Sequence, residues 1–120
     1  MTSKIEKFED LLVWQNSMDL AEIVYEQLRN CRDYGFRDQF CRATVSIPSN
    51  IAEGFDRQTN KEFIQFLFIA KGSCSEVRTQ LYLAQRIKYI DTIKCNELLE
   101  RTRKISSMLF KLIKTRKERF

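Results

Sequence analysis

The sequence predicts an all-α fold, an antiparallel up-down-up-down four-helix bundle, and three observations carry that expectation. The 120-residue chain has three Gly and one Pro against 43% apolar and 31% charged residues. That is little material for an all-β or α/β fold, which needs turn signals about every 8–12 residues. Apolar residues recur at steps of three and four in four separate stretches, as they do on helices with one buried face. Short connections join these stretches, and short connections set successive helices side by side and antiparallel. A chain of this length fits one domain over residues 1–120, and folding buries about two-thirds of its unfolded surface, enough for a single core.

The first helix is expected over about residues 8–30, with Leu11, Trp14, Met18, Ala21, Tyr25 and Leu28 on one inward face. Asn30 to Gly35 supplies turn residues for the first connection. The second helix is expected over 36–54, where Phe36, Phe40, Ala43, Ile47, Ile51 and Phe55 keep one phase across Pro48. That phase predicts a continuous helix kinked near the proline rather than two helices. Gly54, with no Cβ, suits a left-handed C-cap.

Thr59 and Glu62 have capping-box spacing, hydroxyl to the N3 amide and carboxylate back to the cap amide, so the third helix is expected over 60–88. Its core face reads Phe63, Phe66, Leu67, Ala70, Cys74, Val77, Leu81 and Ala84. Asp91 caps a fourth helix over 91–118, with Leu98, Ile105, Met108, Leu109, Leu112 and Ile113 inward. The third helix has a second face, Ile64, Phe68, Gly72, Ser75, Thr79 and Tyr82, whose small residues permit close approach. That face either meets another copy of the chain or is covered by the second or fourth helix.

The formal charge of +5 is uneven. Residues 101–120 hold Arg101, Arg103, Lys104, Lys111, Lys114, Arg116, Lys117 and Arg119 against the single acid Glu118, a balance of +7 that leaves the first hundred residues at −2. Such a segment binds phosphate backbones through counterion release, or else it is a solvated helix end whose cations suit the negative pole of the dipole. On the second helix Arg42, Ser46, Asn50, Glu53 and Arg57 fall within an arc of about 80° opposite the apolar seam. This polar ridge is either a solvated face with an i,i+4 Glu53–Arg57 pair, or a hydrogen-bonded network that meets Glu76, Arg78 or Gln80 or a neighbouring subunit.

Catalysis, metals and cofactors find little support. The chain has no His, which removes the usual general base near neutral pH, and it carries no phosphate-loop, dinucleotide or nucleophile-elbow signature. Arg neighbours would hold Glu53 and Glu76 ionised. Cys31, Cys41, Cys74 and Cys95 are widely spaced with no C-x-x-C pair, and Cys41, Cys74 and Trp14 read as core residues. No small-molecule substrate is evident. The longest apolar-rich run, Phe63 to Ala70, is far short of the ~20 residues of a membrane span, so a cytoplasmic chain with reduced thiols is expected.

The block Arg42-Ala43-Thr44-Val45-Ser46-Ile47-Pro48-Ser49-Asn50-Ile51-Ala52-Glu53-Gly54, followed by Arg57 and by Glu62-Phe63-Ile64-Gln65-Phe66-Leu67, resembles the hallmark of the 23S rRNA intervening-sequence protein family. Phe8-Glu9-Asp10-Leu11-Leu12-Val13-Trp14-Gln15 and Ala70-Lys71-Gly72-Ser73 are similar as well, so the likeness runs over nearly the whole chain. The resemblance implies an antiparallel four-helix bundle assembled as a ring-shaped homopentamer without established enzymatic activity. A related accessory protein of diversity-generating retroelements works with a reverse transcriptase and binds nucleic acid, which implies RNA, DNA or such an enzyme as partners. The family motif also favours the network reading of Arg42, Ser46, Asn50, Glu53, Arg57 and Glu76. Three features depart from the pattern: Cys41 stands where a second basic residue often precedes Arg42, Lys88 stands where Gly usually precedes Tyr89, and the connection between the first and second helices lacks the family's usual proline.

Overall fold

The computed structural model describes residues 4–120. A 3₁₀ turn over Phe8–Asp10 precedes four α-helices: α1 Leu12–Gln27, α2 Tyr34–Phe55, α3 Asn60–Arg86 and α4 Thr92–Arg119. The starts of α2, α3 and α4 are fixed locally. The Asp33, Thr59 and Asp91 side chains accept hydrogen bonds from the amides of Phe36, Glu62 and Lys94 at 3.2, 3.2 and 2.8 Å, satisfying donors that the first turn leaves free. At Thr59 only half of the expected box forms, because the Glu62 carboxylate accepts the Thr59 hydroxyl at 2.9 Å.

The four helices pack as a closed ring in which α1 meets α2, α2 meets α3, α3 meets α4 and α4 returns to α1, with no close backbone approach across a diagonal. Antiparallel order shows in the cross-contacts. Phe36 at the start of α2 stacks edge-on against Tyr89 just beyond the end of α3, centroids 5.4 Å apart, and Asn60 at the start of α3 binds Arg116 at the end of α4. Phe40, Leu20, Ile47, Ile51, Leu67, Leu81, Leu98, Ile105 and Leu109 fill the centre and are fully buried. The chain stays helical on both sides of Pro48, which is itself buried.

The first helix departs from expectation in two ways. Its N-terminal turn is separate, since the Asp10 carboxylate captures the amides of Glu6 and Lys7 at 3.0 and 3.2 Å, a local bond that competes with helix extension. Its buried face is Val13, Ser17, Leu20, Ala21 and Val24, whereas Met18 and Tyr25 are 44% and 53% exposed. Of the expected stripe Ala21 and Leu28 are buried and Leu11 and Trp14 pack against the core, while Met18 and Tyr25 fall outside because the centre of the buried face lies toward Val13, Leu20 and Val24. Two apolar stripes compete on this helix, and the one that touches both α2 and α4 is buried. Ser17 is tolerated there because its hydroxyl donates to the Trp14 carbonyl at 2.8 Å.

Gly54 also acts differently from expectation. The helix runs on to Phe55, and no glycine among the described residues takes a positive φ. A Cβ at Gly54 would stand 2.5 Å from Phe66 Cβ and 3.2 Å from Phe63 Cδ1, so the residue permits close contact between α2 and α3. The left-handed turn lies instead at Lys88, φ 65°, after α3. There Tyr89 N donates to the Ala84 carbonyl at 2.8 Å and Lys88 N to that of Gln85 at 3.1 Å, the double bond pattern of a Schellman cap.

Candidate functional site

The polar ridge of α2 meets α3 at its edges. Ser46 Oγ donates to the Ala43 carbonyl and lies 2.8 Å from Ser73 Oγ of α3, and Asn50 Nδ2 donates to the Ser46 carbonyl at 2.7 Å. Arg57 reaches Glu53 at 3.5 Å and Glu62 at 3.8 Å, with its guanidinium 4.8 Å from the Phe66 ring centre. Arg42 and Glu76 are exposed. The contacts to α3 therefore run through Ser73, Glu62 and Phe66, none of which the spacing of charged residues singles out. Buried Gln80 leaves its Oε1 without a partner among the described residues.

The eight cations near the chain end do not form one patch. At about 100° per residue, Arg103, Lys114 and Lys117 share an arc of about 60° with Phe110 on the side of α4 toward α3. Lys104 and Lys111 point to solvent, while Arg101 and Arg119 lie on the far flank. Arg116 turns inward and is half-buried: its Nε donates to Asn60 Oδ1 at 2.7 Å, and its guanidinium sits 5.1 Å from the Phe63 ring centre and 3.8 Å from that of Phe120. Burial pulls its pKa down. Arg101 pairs with Glu97 at 3.8 Å and Arg103 with Glu100. Lys104, Lys111, Lys114 and Arg119 make no ion pair among the described residues.

The second face of α3 lies at the surface of the chain. Ile64 is half-buried against the core, while Phe68, Gly72, Ser75, Thr79 and Tyr82 are exposed, together with Ile69 and Leu83. Nothing lies within 4 Å of a Cβ built at Gly72. Cations from α4 already cover part of this face, with Lys117 Nζ 4.9 Å from the Phe68 ring centre and Arg103 Nη2 donating to Tyr82 Oη at 3.1 Å.

Cys41, Cys74 and Cys95 are buried and Cys31 is half-buried, all as free thiols. Burial pushes the Cys74 thiol up to about 11, away from nucleophilic character at neutral pH. Among the described residues no three Cys, Asp or Glu side chains gather as a metal site, and no helix is long and apolar enough to cross a membrane.

Four closed helices bearing the ridge at Arg42–Arg57 give a pattern that can be compared with known proteins. The model of the 23S rRNA-intervening sequence protein family matches residues 9–111. The chain belongs to that family. Its fold is similar to a crystal structure from Bacteroides thetaiotaomicron, a protein with unknown function from the S23 ribosomal protein family, with a TM-score of 0.81 and 27% identity over 87% of this chain and 100% of that one. No curated protein matches the sequence. The family match covers α1, α2 and α3 and stops within α4 at Lys111, so the last cations, Lys114 to Arg119, lie beyond it.

Proposed function

We propose that this member of the 23S rRNA-intervening sequence family is a non-enzymatic, homo-oligomeric bundle that associates with nucleic acid. The carrying observation is the surface of α4, where Lys104, Lys111, Lys114 and Arg119 stand exposed without carboxylate partners among the described residues. Unneutralised cations along one helix attract a polyanion, and several copies in one assembly multiply the effect. A reverse transcriptase, which itself holds RNA and DNA, is a protein partner of suitable kind.

Assembly into a ring of five is part of the proposal. A cyclic ring needs two unlike surfaces on each subunit. Exposed Ile69 and Leu83 on α3 and exposed Met18, Tyr25 and Val45 on α1 and α2 supply candidates on different sides of the bundle. The absence of His from the chain and the exposed, Arg57-paired state of Glu53 support the non-enzymatic reading.

Sedimentation equilibrium should give about five times the 14.4 kDa chain mass, and titration of RNA and DNA oligonucleotides should show affinity that falls as salt rises. A monomer would overturn the ring. Failure to bind any oligonucleotide at low salt would favour a second reading, a structural or protein-interaction ring, for which the same exposed apolar residues are the support.

A further inference from the structure

The groove between α3 and α4 is lined by Lys71, Arg78, Arg103, Ser106, Ser107 and Phe110. Every ionisable group on that lining is a cation. We infer that this groove binds single-stranded nucleic acid, with phosphates on Lys71, Arg78 and Arg103 and a base on Phe110. The inference rests on the nucleic-acid reading above and gives it a place and a strand type.

Lys71 and Arg78 meet no carboxylate among the described residues, and Arg78 Nη2 donates only to Ser75 Oγ at 3.3 Å. Arg103 shares Glu100 at the outer edge, an exposed pair that is weak in water and yields to a phosphate. The Ser106 and Ser107 hydroxyls add neutral donors for phosphate oxygens. Aromatic rings stand beside the cations: Phe110, Phe68 and Tyr82 are 59%, 49% and 45% exposed. Large rings left in water next to Lys and Arg form the alternation of stacking platform and phosphate contact that single strands use.

Shape selects the strand type. Packed helix axes lie about 8–10 Å apart, so the furrow between them takes one strand, and it projects no helix or ribbon that would enter a duplex groove. From Lys71 to Arg78 the furrow runs about 10 Å along α3, and Phe68 and Tyr82, which touch Lys117 and Arg103 of α4, stand beyond its two ends. Charge favours a polyanion over the opposite edge of a second copy of the chain. The groove on the opposite edge, between α1 and α2, balances Glu22, Glu26 and Asp38 against Arg29, Arg37 and Arg42, so it offers no net attraction to a row of cations.

The test uses the full chain, a labelled oligo-U or oligo-dT and a duplex of equal length, with fluorescence anisotropy read over a series of salt concentrations. Single-strand affinity should exceed duplex affinity and fall with salt at a log–log slope of about −2 for three phosphates. The double variant Lys71→Ala/Arg78→Ala should flatten that slope to about −0.7. Phe110→Ala should weaken binding about fivefold or more with the slope unchanged. Lys104→Ala/Lys111→Ala, which removes cations of the wider α4 surface and none of the groove, should lower affinity for single strand and duplex alike while the single-strand preference stays.

Loss of binding in the Lys104/Lys111 variant but not in the Lys71/Arg78 variant would leave the nucleic-acid reading standing and overturn the groove. Equal affinity for the duplex would overturn it too. No binding by any oligonucleotide at low salt would overturn both. If Lys71→Glu/Arg78→Glu dissociates the assembly in sedimentation, a second copy occupies the groove and the inference falls.

Discussion

Gly54 sets how closely α2 and α3 approach, and its effect is a contest between two terms. Alanine there gains about 1 kcal/mol of helix propensity, but its Cβ would meet the Cβ of Phe66 at 2.5 Å. That atom is fixed to the backbone and cannot rotate away, so overpacking of about 1–3 kcal/mol outweighs the gain. Gly54→Ala is expected to lower the denaturant midpoint with little change in m-value. Lys88 presents the opposite case. Its φ of 65° is one that glycine adopts freely and an L side chain does not, so Lys88→Gly should stabilise the chain by about 1 kcal/mol. Thermal or urea unfolding reads both, with shifts of opposite sign.

At the scale of elements, α4 is fastened to the start of α3 by a reciprocal clamp. Arg116 Nε donates to Asn60 Oδ1 at 2.7 Å while Asn60 Nδ2 donates to the Arg116 carbonyl at 3.0 Å. The guanidinium also lies against Phe63 and Phe120. Arg116→Ala is expected to destabilise by about 1–2 kcal/mol, given a charge-assisted bond in a half-exposed setting. Combined with Asn60→Ala, the loss should be less than additive, as a double-mutant cycle in urea will read. In the sequence Arg116 is one cation among eight, and nothing in its spacing marks it as structural. Its inward direction follows from where α3 begins, which is a contact distant in the chain.

The whole molecule measures 45 × 28 × 20 Å, a slender bundle whose opposite edges differ in character. The α1–α2 edge carries Met18, Tyr25 and Val45 amid balanced charges, and the α3–α4 edge carries cations and rings. If the first edge is a subunit contact, a lysine at Tyr25 buries a charge in the assembly but meets only water in the single chain. Tyr25→Lys is therefore expected to lower the sedimentation mass to that of smaller species while leaving far-ultraviolet helicity unchanged. Retained assembly in that variant would place the contact elsewhere.

Four helices, their order and most of their inward faces were legible because helical period and short connections are local properties of a chain. The start of α3 at Asn60, the cap at Asp91 and the seam Phe40, Ala43, Ile47 and Ile51 all followed from neighbours within a few residues. Three features required the packed chain. The buried stripe of α1 was chosen by two partner helices between two apolar alternatives, so Met18 and Tyr25 lie outside while Leu20 and Val24 lie inside. Gly54 is explained by Phe63 and Phe66 across a helix interface rather than by a helix end. Lys71 and Arg78 of α3 join Arg103 and Phe110 of α4 only when the third and fourth helices lie side by side. Period tells a helix which residues share a face, but only its neighbours decide which face is covered.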